Sequence, residues 1–334
     1  MAKYLPWHQQ QWQLLQASRE QDRLPHAILL TGPQGLGKQK FALLLAQSLL
    51  CQSPVENGTP CDQCRFCQLF LAGTHPDFNL IAPLEGKKAI AVDQIREIGQ
   101  FMALKSQYAG HKVVVITPAE SMNINASNSL LKSLEEPSTD TALLLVTHQP
   151  AQLPATIRSR CQEIRFGMSD IQAGRDWLAQ QLSPEDDIDL LLALAQGAPL
   201  KALQLSQEGL RQQRLSLLER LEQLSALKLD PVEMAAEFNK AGLPWSLNCL
   251  YSWTTDMVRL KSAGQQAVYC ANPDLNERLL KLANRVSLKT IFRLQDRTKQ
   301  AMQEHDRNLN PSLIMESVLI QWQNVFRKQG RKIA

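Results

Sequence analysis

Along the first half of the chain the hydrophobic positions fall into short runs separated by longer amphipathic stretches, and in the second half the short runs disappear. Ala27 to Thr31, Phe78 to Ala82, Lys112 to Thr117, Ala142 to Thr147 and Gln162 to Phe166 are apolar or β-branched segments of strand length. Between them, Gln39 to Leu50, Val92 to Leu104 and Ala126 to Leu134 read as helices, the last closed by Pro137. Strands alternating with helices predict an α/β domain with a largely parallel sheet over residues 1–166.

After Phe166 the pattern is helical, with breaks at Gly197, Pro231, Gly242, Pro244, Pro273 and Pro311. A short helical unit over 167–207 and a larger all-α domain over 208–334 are therefore expected. In the last helix Ile314, Val318, Trp322 and Val325 recur every three or four residues, which puts them on one face and predicts a buried stripe. No stretch approaches the roughly 18 uninterrupted apolar residues of a membrane span. The N-terminus also lacks the apolar core of a signal peptide, so a cytoplasmic address is expected.

Composition changes this picture little. At 44% hydrophobic and 20% charged residues the chain has globular, not disordered, character, and its net charge of +4 is spread without blocks. That charge neither demands nor excludes a nucleic-acid partner. The cysteines say more. Four of the seven, Cys51, Cys61, Cys64 and Cys67, form a C-x9-C-x2-C-x2-C module over residues 51–67. Two-residue spacers let neighbouring thiolates chelate one ion, and four thiolates complete the tetrahedral shell of a structural Zn²⁺. An iron–sulfur cluster or free thiols are the alternatives. Basic and aromatic neighbours are few, only Arg65 and Phe66, so a scaffold or protein contact is expected ahead of a nucleic-acid reader. Cys161, Cys249 and Cys270 stand alone and are expected to be buried apolar side chains.

Directly after the first strand, Gly32-Pro33-Gln34-Gly35-Leu36-Gly37-Lys38-Gln39 matches the phosphate loop G-x-x-x-x-G-K and opens onto a helix. Gly32, Gly35 and Gly37 let the backbone turn its N–H groups toward phosphate, and Lys38 belongs at a helix N-terminus only where an anion offsets it. The rest of an ATPase is missing. Gln39 stands where a Ser or Thr would bind Mg²⁺, and the strand Val113 to Ile116 ends in Thr117-Pro118 where an acidic pair is needed. Glu120 lies two positions beyond the second expected acid and would have to swing back into the site to replace it, which is the minor alternative. Nucleotide binding without hydrolysis is left open. Arg160, in Ser159-Arg160-Cys161, has the chemistry to cover developing charge on a phosphoryl group, though by itself an arginine there reads as a solvated surface charge.

These motifs occur together with Leu24-Pro25-His26-Ala27 before the loop, Gly73-Thr74-His75-Pro76-Asp77, and Asn128-Ser129-Leu130-Leu131-Lys132-Ser133-Leu134-Glu135-Glu136-Pro137. The set resembles the clamp-loader branch of the AAA+ ATPases over nearly the whole chain. The resemblance implies a P-loop AAA+ α/β domain, a small helical lid and an all-α C-terminal collar domain that joins five subunits. It implies partners as well: gamma/tau-type ATPase subunits, a delta subunit, the sliding clamp, and primer-template DNA reached through the complex. ATP-binding members carry a magnesium hydroxyl, an acidic pair and a lid arginine; here Gln39, Thr117-Pro118 and Leu200 occupy those places. The match is therefore to a member that does not hydrolyse ATP and that offers Arg160 in trans to ATP on a neighbour. Any nucleotidyltransferase activity would belong to the polymerase complex, since no polymerase carboxylate site is identifiable. A self-sufficient gamma-type ATPase and an independent zinc-dependent nucleic-acid binder are the rival readings.

Overall fold

The structure, a computed structural model, describes residues 4–330 apart from 109, 169, 185, 208, 264–268, 307 and 308, so residues 1–3, 208 and 331–334 of the expected domains lie outside the described residues. The chain forms two compact units. The first runs to Gln180 and takes in Ala198–Lys201, and the second comprises Gln181–Gly197 and the chain from Ala202 onward.

The first unit contains α1 (Gln9–Glu20), β1 (Ala27–Thr31), α2 (Lys38–Leu50), α3 (Arg65–Leu71), β2 (Phe78–Ile81), α4 (Val92–Ala103), β3 (Lys112–Ile116), α5 (Ile124–Glu135), β4 (Thr141–Val146), α6 (Ala155–Arg158), β5 (Gln162–Arg165) and α7 (Ile171–Ala179). All five strands are parallel, in the order β2-β3-β4-β1-β5. Successive strand side chains point to opposite faces, so the sheet sorts its apolar residues into two cores. On one face Ile28, Leu30, Val113, Val115, Leu144 and Val146 pack under Phe41, Leu45 and Leu49 of α2. On the other, Leu29, Val114, Ile116, Leu143 and Leu145 pack under Ile95 and Ile98 of α4 and Leu130 and Leu134 of α5. Covering both faces explains why these strands are continuous apolar runs, as parallel sheets require. α5 starts earlier than its apolar spacing suggests, because the Asn123 side chain caps it by accepting the Ala126 N–H.

The second unit is helical: α8 (Ile188–Leu194), α9 (Pro199–Gln207, whose first residues belong to the first unit), α10 (Leu210–Ser225), α11 (Pro231–Lys240), α12 (Leu243–Ala263), α13 (Asn276–Asn284), α14 (Leu288–Asp306) and α15 (Pro311–Gly330). Its core includes Leu218, Phe238, Leu250, Trp253, Leu279 and Ile291. Ile314, Val318 and Trp322 are buried in that core and Val325 packs against its edge, as the stripe predicts. Trp322 donates its indole N–H to the Ser225 hydroxyl at 2.9 Å, which satisfies the one polar atom of the stripe. Cys249 and Cys270 are buried, whereas Cys161 is only partly so. Among the described residues no single helix is long and apolar enough to cross a membrane.

Candidate functional site

The register of the sheet decides which loops meet. Leu30 of β1 lies opposite Val146 of β4, and Leu145 of β4 opposite Ile116 of β3, so the segments leaving these three strands emerge side by side. Ligands of open parallel sheets sit outside the carboxyl ends of the strands. Here the glycine loop leaves β1, Thr147-His148 leaves β4, and Thr117 to Glu120 leaves β3.

Lys38 is the first residue of α2 and is only 2% exposed. Its ammonium has three donors and meets three acceptors: the Gly32 carbonyl at 2.5 Å, the Pro33 carbonyl at 2.7 Å and His148 Nδ1 at 2.8 Å. Burial lowers its pKa to about 8, with the Glu120 carboxylate pulling the other way. His148 is shifted down by burial, reinforced by Lys38 and opposed by Glu120. The Glu120 carboxylate accepts the His148 backbone N–H at 2.9 Å. Glu120 therefore sits closer to the loop than its sequence position suggests, because a short 3₁₀ turn at Ala119–Ser121 brings it back toward the β4 exit. Gln39 points to solvent and Thr117 is buried.

The loop glycines have a packing reason of their own. Gly35 and Gly37 both adopt φ near +84°, a left-handed conformation that side chains rarely take. A Cβ on Gly37 would lie 2.5 Å from Leu5 Cδ1 and 3.2 Å from Leu200 Cδ1, and one on Gly35 would lie 2.6 Å from Lys201 Cβ. Leu200, at the position matched to the lid arginine, donates its N–H to the Gly35 carbonyl at 3.1 Å. Trp7 Nε1 and His8 Nε2 both donate to the Leu36 carbonyl, at 2.9 and 2.6 Å. His8 is buried against Phe41 and Phe166, and burial first of all holds its pKa near 4. The segments at Leu5–His8 and Ala198–Lys201 thus close over the loop from two sides.

The cysteine module lies between α2 and α3. All four Sγ atoms lie within 4.8 Å of one another, with Cys51–Cys61 at 3.5 Å, Cys51–Cys64 at 3.9 Å and Cys61–Cys67 at 4.0 Å. Four sulfurs at roughly 2.3 Å from one ion would be roughly 3.8 Å apart, so the spacing fits a single tetrahedral metal. Backbone N–H groups of Cys61, Cys64 and Cys67 each donate to the preceding ligand sulfur, at 3.4, 3.3 and 3.4 Å. Burial works against the Cys64 thiolate, but the Cys67 and Gln52 N–H groups outweigh it and bring its pKa down to about 6. The module is tied to the helices by Trp12 Nε1 donating to the Asn57 carbonyl at 2.8 Å and Gln47 Nε2 to Asp62 at 3.1 Å. Phe66 packs in a tilted arrangement against Tyr108, with ring centroids 4.9 Å apart, and Asp77 accepts from the Ser106 hydroxyl and from the Gln107 N–H. The Thr74-His75-Pro76-Asp77 run is in this way a clasp between the module and the segment before β3.

Arg160 follows α6 and precedes β5, at the amino end of the sheet. Its side chain is 37% exposed, and it pairs with Glu135 Oε1 at 2.7 Å and donates to the Thr156 carbonyl at 3.0 Å. Because the strands are parallel, Arg160 and the glycine loop sit at opposite ends of them. A five-residue strand such as β1 puts roughly 15 Å between those ends. Sequence reasoning missed His148 and Glu135 as neighbours of the candidate site residues, since both pairings depend on strand register and not on local spacing.

Comparison with known proteins gives a consistent set of similarities. The family model for "DNA polymerase III, delta subunit" matches residues 7–170, and that for its C-terminal part matches residues 208–324. The chain is 38% identical over 327 residues to the DNA polymerase III delta-prime subunit of Pseudomonas aeruginosa, covering 96% of this chain and 98% of that one. It is 33% identical to the delta-prime subunit of Escherichia coli, over 85% of this chain and 84% of the other. A solved gamma subunit-related protein from Thermotoga maritima is 19% identical, covers 94% of this chain and 99% of its own, and superposes with a TM-score of 0.46.

Proposed function

The chain belongs to the family of DNA polymerase III delta-prime subunits, and from that premise we propose that it is a non-hydrolytic subunit of the clamp loader that supplies Arg160 to ATP held by a neighbouring subunit. Its work is to help load the sliding clamp on primed DNA, in the cytoplasm, within a pentamer of gamma/tau-type ATPase subunits, a delta subunit and this chain. The division into an AAA+ domain to residue 166, a lid over 167–207 and a collar from 208 is part of this reading.

The observation that carries the reading is the separation of Arg160 from its own glycine loop. An arginine at the amino end of the sheet is out of reach of phosphate at the carboxyl end, yet half-exposed and able to reach phosphate on another molecule. A planar guanidinium covers charge on a transferring phosphoryl group, which is the chemistry of an arginine supplied in trans. The non-hydrolytic part is supported by Gln39 in place of a magnesium hydroxyl and by Lys38, whose three donors are all used within the chain. Cys51, Cys61, Cys64 and Cys67 would hold a structural Zn²⁺. Four thiolates close the shell, so the ion would brace the loop and expose no position for water.

The test is reconstitution. The chain alone should show no ATP turnover, and a loader assembled without it should lose clamp loading. ATP hydrolysis by the purified chain at the rate of an active loader subunit would favour the self-sufficient ATPase instead.

A further inference from the structure

We infer that Glu135 is a positioning residue for Arg160, an inference that rests on the in-trans reading of that arginine. The guanidinium is gripped from two directions, by the Glu135 carboxylate at 2.7 Å and by the Thr156 carbonyl at 3.0 Å. Each grip comes from a firmly seated element. Glu135 is the last residue of α5, next to Leu134, which is buried in the core and whose carbonyl is held by His26 Nε2 at 3.2 Å. Thr156 belongs to α6, anchored by fully buried Ile157, whose carbonyl also accepts the Arg160 N–H at 3.1 Å.

Glu135 and Arg160 are half-exposed, and ion pairs in such settings contribute little to folding. What the pair changes is the freedom of the arginine. A long, flexible side chain loses rotamer entropy when it must be fixed at the moment of reaction, and a carboxylate that fixes it beforehand removes that cost from the catalysed step. Only some of the five guanidinium N–H groups are engaged by Glu135 and Thr156, which leaves donors to face a phosphate outside the chain. The Glu135 of the Leu-Glu-Glu-Pro run and the arginine of Ser159-Arg160-Cys161 form one device, although 24 residues separate them.

The test is a double-mutant cycle in the reconstituted loader, measuring clamp- and DNA-stimulated ATP hydrolysis with Glu135→Gln, Glu135→Ala, Arg160→Ala and the Glu135→Ala, Arg160→Ala double variant. Glu135→Ala should lower kcat at that junction by roughly tenfold, the scale on which supporting residues act, with KM for ATP unchanged. Glu135→Gln, which keeps one acceptor, should fall between. The melting temperature of the chain should not move. On the Arg160→Ala background, Glu135→Ala should have no further effect. Normal kcat in Glu135→Ala beside a defective Arg160→Ala overturns the positioning role alone. An equal loss from Glu135→Ala with and without Arg160 overturns it too, because Glu135 would then act elsewhere. Normal kcat in Arg160→Ala overturns the in-trans reading and this inference with it.

Discussion

Lys38 Nζ lies 2.8 Å from His148 Nδ1, a contact between the first residue of α2 and the residue that leaves β4. It is one of three hydrogen bonds that together use every donor of a buried ammonium. The glycine loop is therefore a packed part of the fold in its own right, apart from any role in holding phosphate.

Lys38→Ala should therefore act on stability. It strands His148 Nδ1 and two loop carbonyls without their donor, and a lost buried partner costs about 1–3 kcal/mol. Urea unfolding of the full chain should show that loss, while clamp loading at a temperature where the variant is folded should stay close to normal. Tight Mg-ATP binding by the unmodified chain, abolished in the variant, would show that the loop works as a nucleotide site.

The metal module should contain about one zinc per chain, read by elemental analysis. Cys64→Ser should remove the metal and loosen residues 51–67, with faster hydrogen exchange there and in the Tyr108 segment that Phe66 contacts. The sheet should remain folded, since the module lies outside both of its cores. An iron chromophore, or no metal at all, would contradict the zinc proposal.

His8 gives a pH dependence with a definite sign. Burial lowers its pKa to about 4, and His75 and His148 are shifted in the same direction, each by burial first. An unfolded histidine takes its proton near pH 6.5, so between about 4 and 6.5 the unfolded chain binds more protons than the folded one. Stability should rise with pH across that window and be lost as pH falls through it. Each tenfold change in proton affinity is worth about 1.36 kcal/mol, which makes the His8 contribution about 3 kcal/mol across the window. His8→Gln keeps an N–H for the Leu36 carbonyl and removes the His8 titration, so the difference in unfolding free energy between pH 5 and pH 7 should narrow, with His75 and His148 carrying the remainder. An unchanged difference would mean that His8 does not carry it.

Much of this was legible in the sequence, and the reasons are local. Each strand is a short run of apolar or β-branched residues flanked by breaks, so its limits were readable to within about a residue, and cysteine spacing pointed to the thiolate cluster directly. The links among Lys38, His148 and Glu120 were not readable. They arise where β1, β4 and β3 end side by side, and strand order leaves no mark on neighbouring residues. The pair Glu135 and Arg160 was hidden for the same reason. Within 167–207, α7 and Ala198–Lys201 belong to one compact unit and α8 to the other, a partition that helical periodicity does not encode.

The most direct test of the central claim is Arg160→Ala in the reconstituted loader. The isolated variant should keep its fold and metal content. In the complex, hydrolysis at the junction it serves should fall by roughly 10³ to 10⁵, so total ATPase drops in part while clamp loading drops much further. Arg160→Lys should not restore it, since a point charge lacks the planar fork that spans two phosphate oxygens. Clamp loading at the normal rate by Arg160→Ala would contradict the in-trans role.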